Sequence, residues 1–154
     1  MSKIKLLVVD TSVLLYDKHS IHSFPGNTVV LPMVVLDELD RFKEKPGLLG
    51  ESARYVNRFL DDLRKLGKLY EGVYAEEYDQ SIRILTKNFE VHEELDSSSG
   101  DNKIIATALY LKEKFDQEVK VVTKDINLRV KCDALDISAE DLSLIHISEP
   151  TRPY

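Results

Sequence analysis

The chain has 154 residues, of which 43% are hydrophobic and 31% are charged, and its formal net charge at pH 7 is −6. This size and composition are typical of a single globular domain with a buried core, and they exclude a disordered or fibrous chain. The acidic balance also argues against binding of nucleic acid through overall charge, unless bound divalent cations reverse the sign of the field at one site.

The first part of the chain alternates between strand and helix patterns. Residues 4–9 form a nearly continuous apolar run rich in β-branched side chains, which predicts a strand buried on both faces of a parallel sheet. Residues 28–31 repeat this pattern and predict a second strand. Pro32 then suits the first turn of a helix. The apolar side chains of this helix recur at Val35, Leu36, Leu39 and Phe42.

The middle of the chain contains the longest helix pattern. Pro46-Gly47 and Gly50 predict a loop before it, and Gly67 lies near its predicted end. Its apolar face consists of Ala53, Val56, Leu60 and Leu63. Residues 69–91 have a weaker pattern, in which the apolar positions predict short strands arranged as an irregular hairpin. The positions concerned are Val73, Ile82 and Ile84.

The last part returns to regular alternation. Residues 97–102, which read SSSGDN, form a cap and loop signal before a predicted helix at 102–115. A strand at 119–122 and a short helix at 126–134 follow. Such alternation predicts right-handed βαβ units around a parallel sheet. Residues 143–154 depart from the pattern, so we expect a domain over residues 1–142 and a non-native tail over residues 143–154.

Four acidic residues stand at positions where chemistry is expected in such a sheet. Asp10 closes the first strand, Asp125 follows the 119–122 strand, and Asp101 opens the helix that precedes it. Glu38 lies about two turns into the helix after the second strand. Because ligands of open parallel sheets gather outside the carboxyl ends of the strands, we expect these acids to share one edge.

Each acid also has an ordinary structural interpretation. An aspartate at a helix start often caps the free N–H groups, which would explain Asp10, Asp101 and Asp125. Glu38 could form a surface pair with Arg41 three residues later. Caps have no reason to collect at one sheet edge, however, whereas a hard cation needs several converging oxygen ligands. The combination therefore favours a Mg²⁺ or Mn²⁺ site that hydrolyses phosphodiesters, because paired divalent ions can activate water and stabilise the leaving oxygen.

Four short motifs then resemble those of one known family. Residues 8–14 read VVDTSVL and residues 35–40 read VLDELD, with the glutamate before a leucine. Residues 100–108 read GDNKIIATA, and residues 122–129 read VTKDINLR. Their order, spacing and placement at strand ends resemble the motifs of PIN domains over roughly residues 4–140.

This resemblance implies a three-layer α/β/α sandwich with a central parallel sheet, and a metal-dependent endoribonuclease that cleaves single-stranded RNA. The implied metal ligands and catalytic residues are Asp10, Glu38, Asp101 and Asp125. Residues that could support them by hydrogen bonding are Thr11, Ser12, Thr123 and Asn127, whose ordinary interpretation is turn and cap chemistry. The basic residues that could hold the RNA backbone are Arg41, Lys43, Lys45, Arg129 and Lys131, although a charge on a helix is more often a solvated face.

The 122–129 motif and the long middle segment most resemble the PIN domain that precedes a PhoH-type ATPase in bacterial two-domain proteins. The chain departs from that pattern because it has no phosphate-loop motif, so the ATPase is absent from these residues. The sequence leaves open a C-terminal PhoH-type ATPase domain in an untruncated protein. No apolar run approaches the roughly 20 residues of a membrane span, and the N-terminus lacks a secretory signal. We therefore expect a cytoplasmic protein, and the sequence leaves a homo-oligomer open.

Three other classes of protein share some of these features. A phosphatase of the haloacid dehalogenase type would need a second aspartate where Ser12 stands, and a receiver domain would need an acidic pair at the first strand end. The main alternative is a non-catalytic PIN-like module that binds RNA or protein. Such modules usually lack one or more acids, whereas this chain retains all four.

Overall fold

Six strands form one sheet in the computed structural model, which describes residues 3–86 and 100–142. The strands are β1 Leu6–Val9, β2 Thr28–Pro32, β3 Val73–Ala75, β4 Gln80–Leu85, β5 Val119–Val122 and β6 Ser138–Glu140. Their order across the sheet is β3-β4-β2-β1-β5-β6. Neighbouring strands are parallel except for β3, which runs antiparallel to β4.

Helices flank this sheet, as expected for an α/β sandwich. They are α1 Thr11–Tyr16, α2 Met33–Phe42, α3 Gly47–Arg64, α4 Gly100–Lys114 and α5 Ile126–Ala134. Helix α3 packs against α1 and α2, whereas α4 contacts β1, β2 and β5. The mostly parallel sheet flanked by helices confirms the predicted fold class. None of the described helices is both long and apolar enough to cross a membrane.

The core follows from the apolar runs of the central strands. All four residues of β1 are buried, and β5 exposes only part of Lys120. Because β1 lies between β2 and β5, it is hydrogen-bonded along both edges as well as covered on both faces. The residue that follows β1 is therefore held at a rigid point of the molecule, and that residue is Asp10.

Several predicted element boundaries differ from the structure. Gly50 was predicted to lie in a loop but is buried inside α3, which already begins at Gly47. The helix after the second strand begins at Met33, because Pro32 still belongs to β2 and occupies the N-cap position. The short helix α1 and the edge strand β6 were not predicted. Both are short and lack a long apolar pattern.

The predicted hairpin in the middle segment is confirmed as far as the structure describes it, since β3 pairs with β4. The remainder of that segment and the predicted cap at residues 97–99 lie outside the described residues. Residues 143–154 also lie outside them, so the domain boundary near residue 142 stays a prediction.

Candidate active site at the carboxyl edge of the sheet

Asp10 is a buried carboxylate at the end of the central strand β1, with 7% of its surface exposed. Its main-chain N–H donates to the carbonyl oxygen of Val122 at 2.9 Å, which ties it to the end of β5. Asp10 occupies the N-cap position of α1, but its side chain makes no capping hydrogen bond. The ordinary interpretation of Asp10 as a helix cap is therefore wrong.

Two hydroxyl groups hold the Asp10 carboxylate instead. The Ser12 hydroxyl donates to Asp10 Oδ2 at 2.8 Å, and the Thr123 hydroxyl donates to the same oxygen at 2.7 Å. These hydroxyls also accept hydrogen bonds from the turn after β5. Lys124 N–H donates to Ser12 Oγ at 3.1 Å, and Asp125 N–H donates to Thr123 Oγ1 at 3.0 Å. The two hydroxyls thus join the end of β1 to the turn that leads into α5.

Glu38 extends from α2 toward the start of α1. Its Oε1 accepts a hydrogen bond from the Thr11 hydroxyl at 3.0 Å, rather than forming the surface pair with Arg41 that was the ordinary interpretation. Partial burial raises the pKa of Glu38 above its usual value. The Thr11 hydrogen bond opposes this change, and the charges of Asp10 and Asp101 add to it.

Asp101 lies in the first turn of α4, next to the helix start at Gly100. Partial burial raises its pKa, and the negative charges of Asp125 and Asp10 raise it further. The positive charge of Lys131 acts in the opposite direction. The helix start is close to Glu38, because a Cβ atom at Gly100 would lie 3.7 Å from Glu38 Oε1.

Asp125 is the one acid of the four whose side chain caps a helix. Its Oδ1 accepts hydrogen bonds from the N–H groups of Asn127 at 2.9 Å and Leu128 at 3.4 Å at the start of α5. Asp125 Oδ1 is therefore a helix cap, as the ordinary structural interpretation predicts. The charge of Asp125 nevertheless acts on a second acid, because it is among the causes of the raised pKa of Asp101.

The charges of the other acids thus contribute to the raised pKa values of Glu38 and Asp101. Cys132 lies against the same group, because burial and the charges of Asp101 and Asp10 raise its thiol pKa to about 11. Within residues 3–86 and 100–142, however, no three acidic, histidine or cysteine side chains are close enough together to hold a metal ion as they stand. The donor set nevertheless has the oxygen chemistry that Mg²⁺ and Mn²⁺ prefer.

Comparison with known proteins identifies the family of this fold and motif set. A sequence profile described as "PIN domain" matches residues 7–143. The chain belongs to the PIN domain family. PIN domains are generally nucleases, and they typically use divalent metal ions.

Three curated relatives of this PIN domain are named Protein PhoH2. The one from Bacillus subtilis is 38% identical over 145 residues, which cover 89% of this chain and 33% of that protein. The one from Thermobispora bispora is 35% identical over 138 residues, which cover 87% of this chain and 31% of that protein. The one from Mycolicibacterium smegmatis is 33% identical over 151 residues, which cover 90% of this chain and 32% of that protein. The chain thus spans about a third of the length of these relatives.

Two solved structures share the fold of this PIN domain. A domain of a functionally unknown protein from Methanocaldococcus jannaschii matches with a TM-score of 0.57 and 16% identity, covering 97% of this chain and 95% of that one. The PIN domain of T. brucei RRP44 matches with a TM-score of 0.57 and 13% identity, covering 94% of this chain and 80% of that one. Because the sequence identities are this low, the two matches show only that the fold is shared.

The residues predicted to support the acids have different roles in this PIN domain. Thr11, Ser12 and Thr123 bond directly to carboxylates of the site. Asn127, by contrast, contacts Asp125 through its main-chain N–H and is an exposed residue of α5. The hydrogen bonds of the three hydroxyl groups are observed, and two of these hydroxyls meet on one oxygen of Asp10, whereas their supporting role stays a prediction.

The predicted RNA-binding residues do not form a single group. Lys131 and Arg41 lie close enough to affect the pKa values of Asp101 and Glu38, respectively. Lys43 instead pairs with Asp40 on its own helix at 2.7 Å. The Arg129 guanidinium donates to the carbonyl oxygen of Thr123 at 2.8 Å and thereby braces the turn after β5. Lys45 is an exposed residue between α2 and α3.

Sequence reasoning did not identify two residues beside the site, Tyr16 and Lys124. The Lys124 ammonium lies 4.4 Å from the centroid of the Tyr16 ring and 3.1 Å from Asp141 Oδ1. The only sequence signal for Lys124 was its position between Thr123 and Asp125 in the fourth motif. Tyr16 had no such signal, because the helix that carries it was not predicted.

Proposed function

We propose that this PIN domain is a Mg²⁺- or Mn²⁺-dependent endoribonuclease that hydrolyses phosphodiester bonds of single-stranded RNA. The observation that carries the proposal is the arrangement of Asp10, a buried carboxylate at the end of the central strand with two hydroxyls directed at one of its oxygens. A buried charge is costly unless the surroundings favour it. A residue that only caps a helix needs neither this burial nor two hydroxyl partners.

The neighbouring acids support the same proposal through their ionisation. Glu38 and Asp101 both have raised pKa values, due first to burial and then to other carboxylates of the group. Perturbed acids that face one another are typical of functional sites. A divalent cation among Asp10, Glu38, Asp101 and Asp125 would relieve the repulsion and favour loss of the protons from Glu38 and Asp101.

A bound divalent cation would supply two things to this chemistry, activation of a water molecule and stabilisation of the leaving oxygen. The chain's own residues would orient the reaction. Ser12 and Thr123 would hold the Asp10 carboxylate in one rotation, and Thr11 would do the same for Glu38. Arg41 and Lys131, the two cations that act on the acids, would hold RNA phosphates at the rim.

The proposal extends to the wider protein and its surroundings. RNA is the proposed substrate, and a single strand is favoured because a flexible strand can bring its backbone to the acids more easily than a rigid duplex can. We also infer that a PhoH-type ATPase domain accompanies this domain in the full-length protein, since the chain spans about a third of its PhoH2 relatives. The cytoplasm is the proposed location.

The decisive experiment compares wild type with Asp10→Asn on labelled single-stranded RNA, with Mg²⁺, with Mn²⁺ and with excess EDTA. The amide retains the size and hydrogen-bonding oxygen of the carboxylate but not its charge, so the fold should persist and most of the cleavage should be lost. Asp37→Asn is the matched control, because Asp37 is an exposed carboxylate next to Glu38 on α2. Products should carry 5′-phosphates, and ATP should not be required.

Equal cutting by wild type and Asp10→Asn, or cutting that persists in EDTA, would show that the metal-nuclease proposal is wrong. The second candidate is then a non-catalytic module that binds RNA or protein. One observation favours that candidate: within residues 3–86 and 100–142, no group of three or more acidic, histidine or cysteine side chains is arranged to hold a metal ion. RNA binding without cleavage by the wild-type domain would support it.

A further inference from the structure

Tyr16 is an exposed aromatic residue beside the acidic site. It is the last residue of α1, the helix that begins immediately after Asp10, and 63% of its surface is exposed. Six residues of helix rise correspond to about 9 Å, so the Tyr16 backbone lies within about that distance of Asp10 along the helix. A large aromatic side chain in this position contributes little to the core, because most of its surface remains in water.

Lys124 connects the Tyr16 ring to the acids. Its ammonium group lies 4.4 Å from the ring centroid, which is the geometry of a cation–π contact. Its main-chain N–H donates to Ser12 Oγ, and that hydroxyl donates to Asp10 Oδ2. The ring is therefore positioned by the same turn that positions the proposed catalytic carboxylate.

Basic side chains accompany the ring at the turn after β5. Lys124 pairs with Asp141 at 3.1 Å, and Arg129 lies 3.9 Å from the same carboxylate. An exposed aromatic ring beside cationic side chains is a combination with which proteins bind single-stranded nucleic acid, since bases stack on the ring and cations contact the phosphates.

We propose that Tyr16, supported by Lys124, is the stacking platform for a nucleobase next to the scissile phosphate of single-stranded RNA. This inference rests on the proposed function, because it assigns a base-binding position to the same site. Stacking is tolerant of base identity, since every base presents a π-face. The platform would therefore position the strand without selecting a sequence.

The absence of tryptophan from the chain allows a direct test of stacking. Tyr16→Trp introduces a single fluorophore, and stacking of a base on it should quench its emission as RNA is added. Tyr70→Trp is the matched control, because Tyr70 is 60% exposed in the turn before β3, at the opposite edge of the sheet. Both variants are titrated with a short single-stranded RNA in Ca²⁺, and gels verify that the RNA stays intact.

We expect saturable quenching with Tyr16→Trp and none with Tyr70→Trp. An RNA with one abasic position at the platform should bind without that quenching. Tyr16→Ala should weaken RNA binding about 5- to 150-fold, the range that corresponds to loss of one stacked base, whereas Tyr16→Phe should bind as wild type does. Wild-type binding by Tyr16→Phe would show that RNA binding requires the flat ring and not the hydroxyl. This result distinguishes stacking from a hydrogen-bonding role.

Equal quenching of the two tryptophan variants, or unchanged binding by Tyr16→Ala, would overturn the inference. So would failure of the wild type to bind the RNA at all. These results are separate from failure of the proposed function, which is absence of metal-dependent cleavage by the wild type. If Tyr16→Trp shows saturable quenching but the wild type does not cut RNA, the stacking proposal is supported and the nuclease proposal is contradicted.

Discussion

At the scale of single residues, the site depends on hydroxyl groups as much as on carboxylates. Thr123 is fully buried, and its one hydroxyl both donates to Asp10 and accepts from the Asp125 N–H. A single oxygen thus links two acids that lie 115 positions apart in the sequence. Removal of that oxygen should disturb both of them, because a buried donor and a buried acceptor lose their partner.

Thr123→Val tests this link while it preserves the size and shape of the side chain. We expect a loss of about 1–3 kcal/mol in the free energy of unfolding, from the unsatisfied buried groups, and a loss of roughly 10- to 100-fold in RNA cleavage. Urea denaturation and cleavage assays measure the two effects.

Thr107→Val is the control for Thr123→Val. Thr107 is also buried, but its hydroxyl donates only to the Lys103 carbonyl of its own helix. The control should change stability by less than about 0.5 kcal/mol, since such back-bonding adds little to a helix. Equal effects of the two substitutions would contradict a special role for the Thr123 hydroxyl.

At the scale of elements, the start of α3 illustrates how a helix can replace a predicted loop. Gly50 lies in the first turns of α3, and a Cβ atom there would collide with the carbonyl oxygen of Lys45. Arg54 crosses the same region and donates to the Lys43 carbonyl at 2.6 Å. The glycine therefore allows the chain after α2 to pass close to α3, so it serves a close approach of backbone rather than a turn.

Gly50→Ala should destabilise the protein although alanine favours helix. The collision is with backbone, which cannot move aside as a side chain can, so overpacking of about 1–3 kcal/mol should exceed the gain in helix propensity. Gly67→Ala is the control, because a Cβ atom there would meet Val73 Cγ2 at 3.4 Å, an ordinary contact. Chemical denaturation measures both, and a stabilised Gly50→Ala would contradict the collision.

At the scale of the whole molecule, clustering of acids at one sheet edge should reduce stability near neutral pH when divalent cations are absent. Glu38 and Asp101 have raised pKa values, so the folded protein binds their protons more tightly than the unfolded chain does. Their contribution to stability is fully present below their usual pKa values of 4.5 and 3.8, and it is lost as the pH rises through the raised values.

Glu38→Gln and Asp101→Asn should therefore raise the melting temperature at pH 7 in EDTA. The gain should shrink as the pH falls through the raised pKa values and be gone below the usual values of 4.5 and 3.8. Thermal denaturation between pH 4 and pH 8 measures this difference. The matched control is Asp37→Asn, which changes an exposed carboxylate of the same helix as Glu38 and should give no comparable gain. Variants that are no more stable than wild type at pH 7 would contradict a cost of ionising these two acids, which arises from burial first and from neighbouring carboxylates second.

Much of the fold could be predicted from the sequence, whereas the membership of the site stays a prediction. Residues in β1, β5 and α5 were predicted almost to their ends, because buried parallel strands are continuous apolar runs and the short helix follows a recognisable cap at Asp125. The acids could be assigned to one edge because parallel strands end on the same side of a sheet. These features depend on local pattern and on one general rule of topology.

Other features were decided only when distant parts of the chain came together. The edge strand β6 reads Ser-Ala-Glu and has no apolar run, so its pairing with β5 could not be seen in its own residues. Glycine is required at position 50 because the carbonyl oxygen of Lys45, in the preceding loop, lies close to it. The contact of Lys124 with Tyr16, and the meeting of Ser12 and Thr123 on one oxygen of Asp10, join residues more than 100 positions apart. Such contacts leave no periodicity in the sequence, because they arise from the packing of whole elements rather than from the conformation of any one of them.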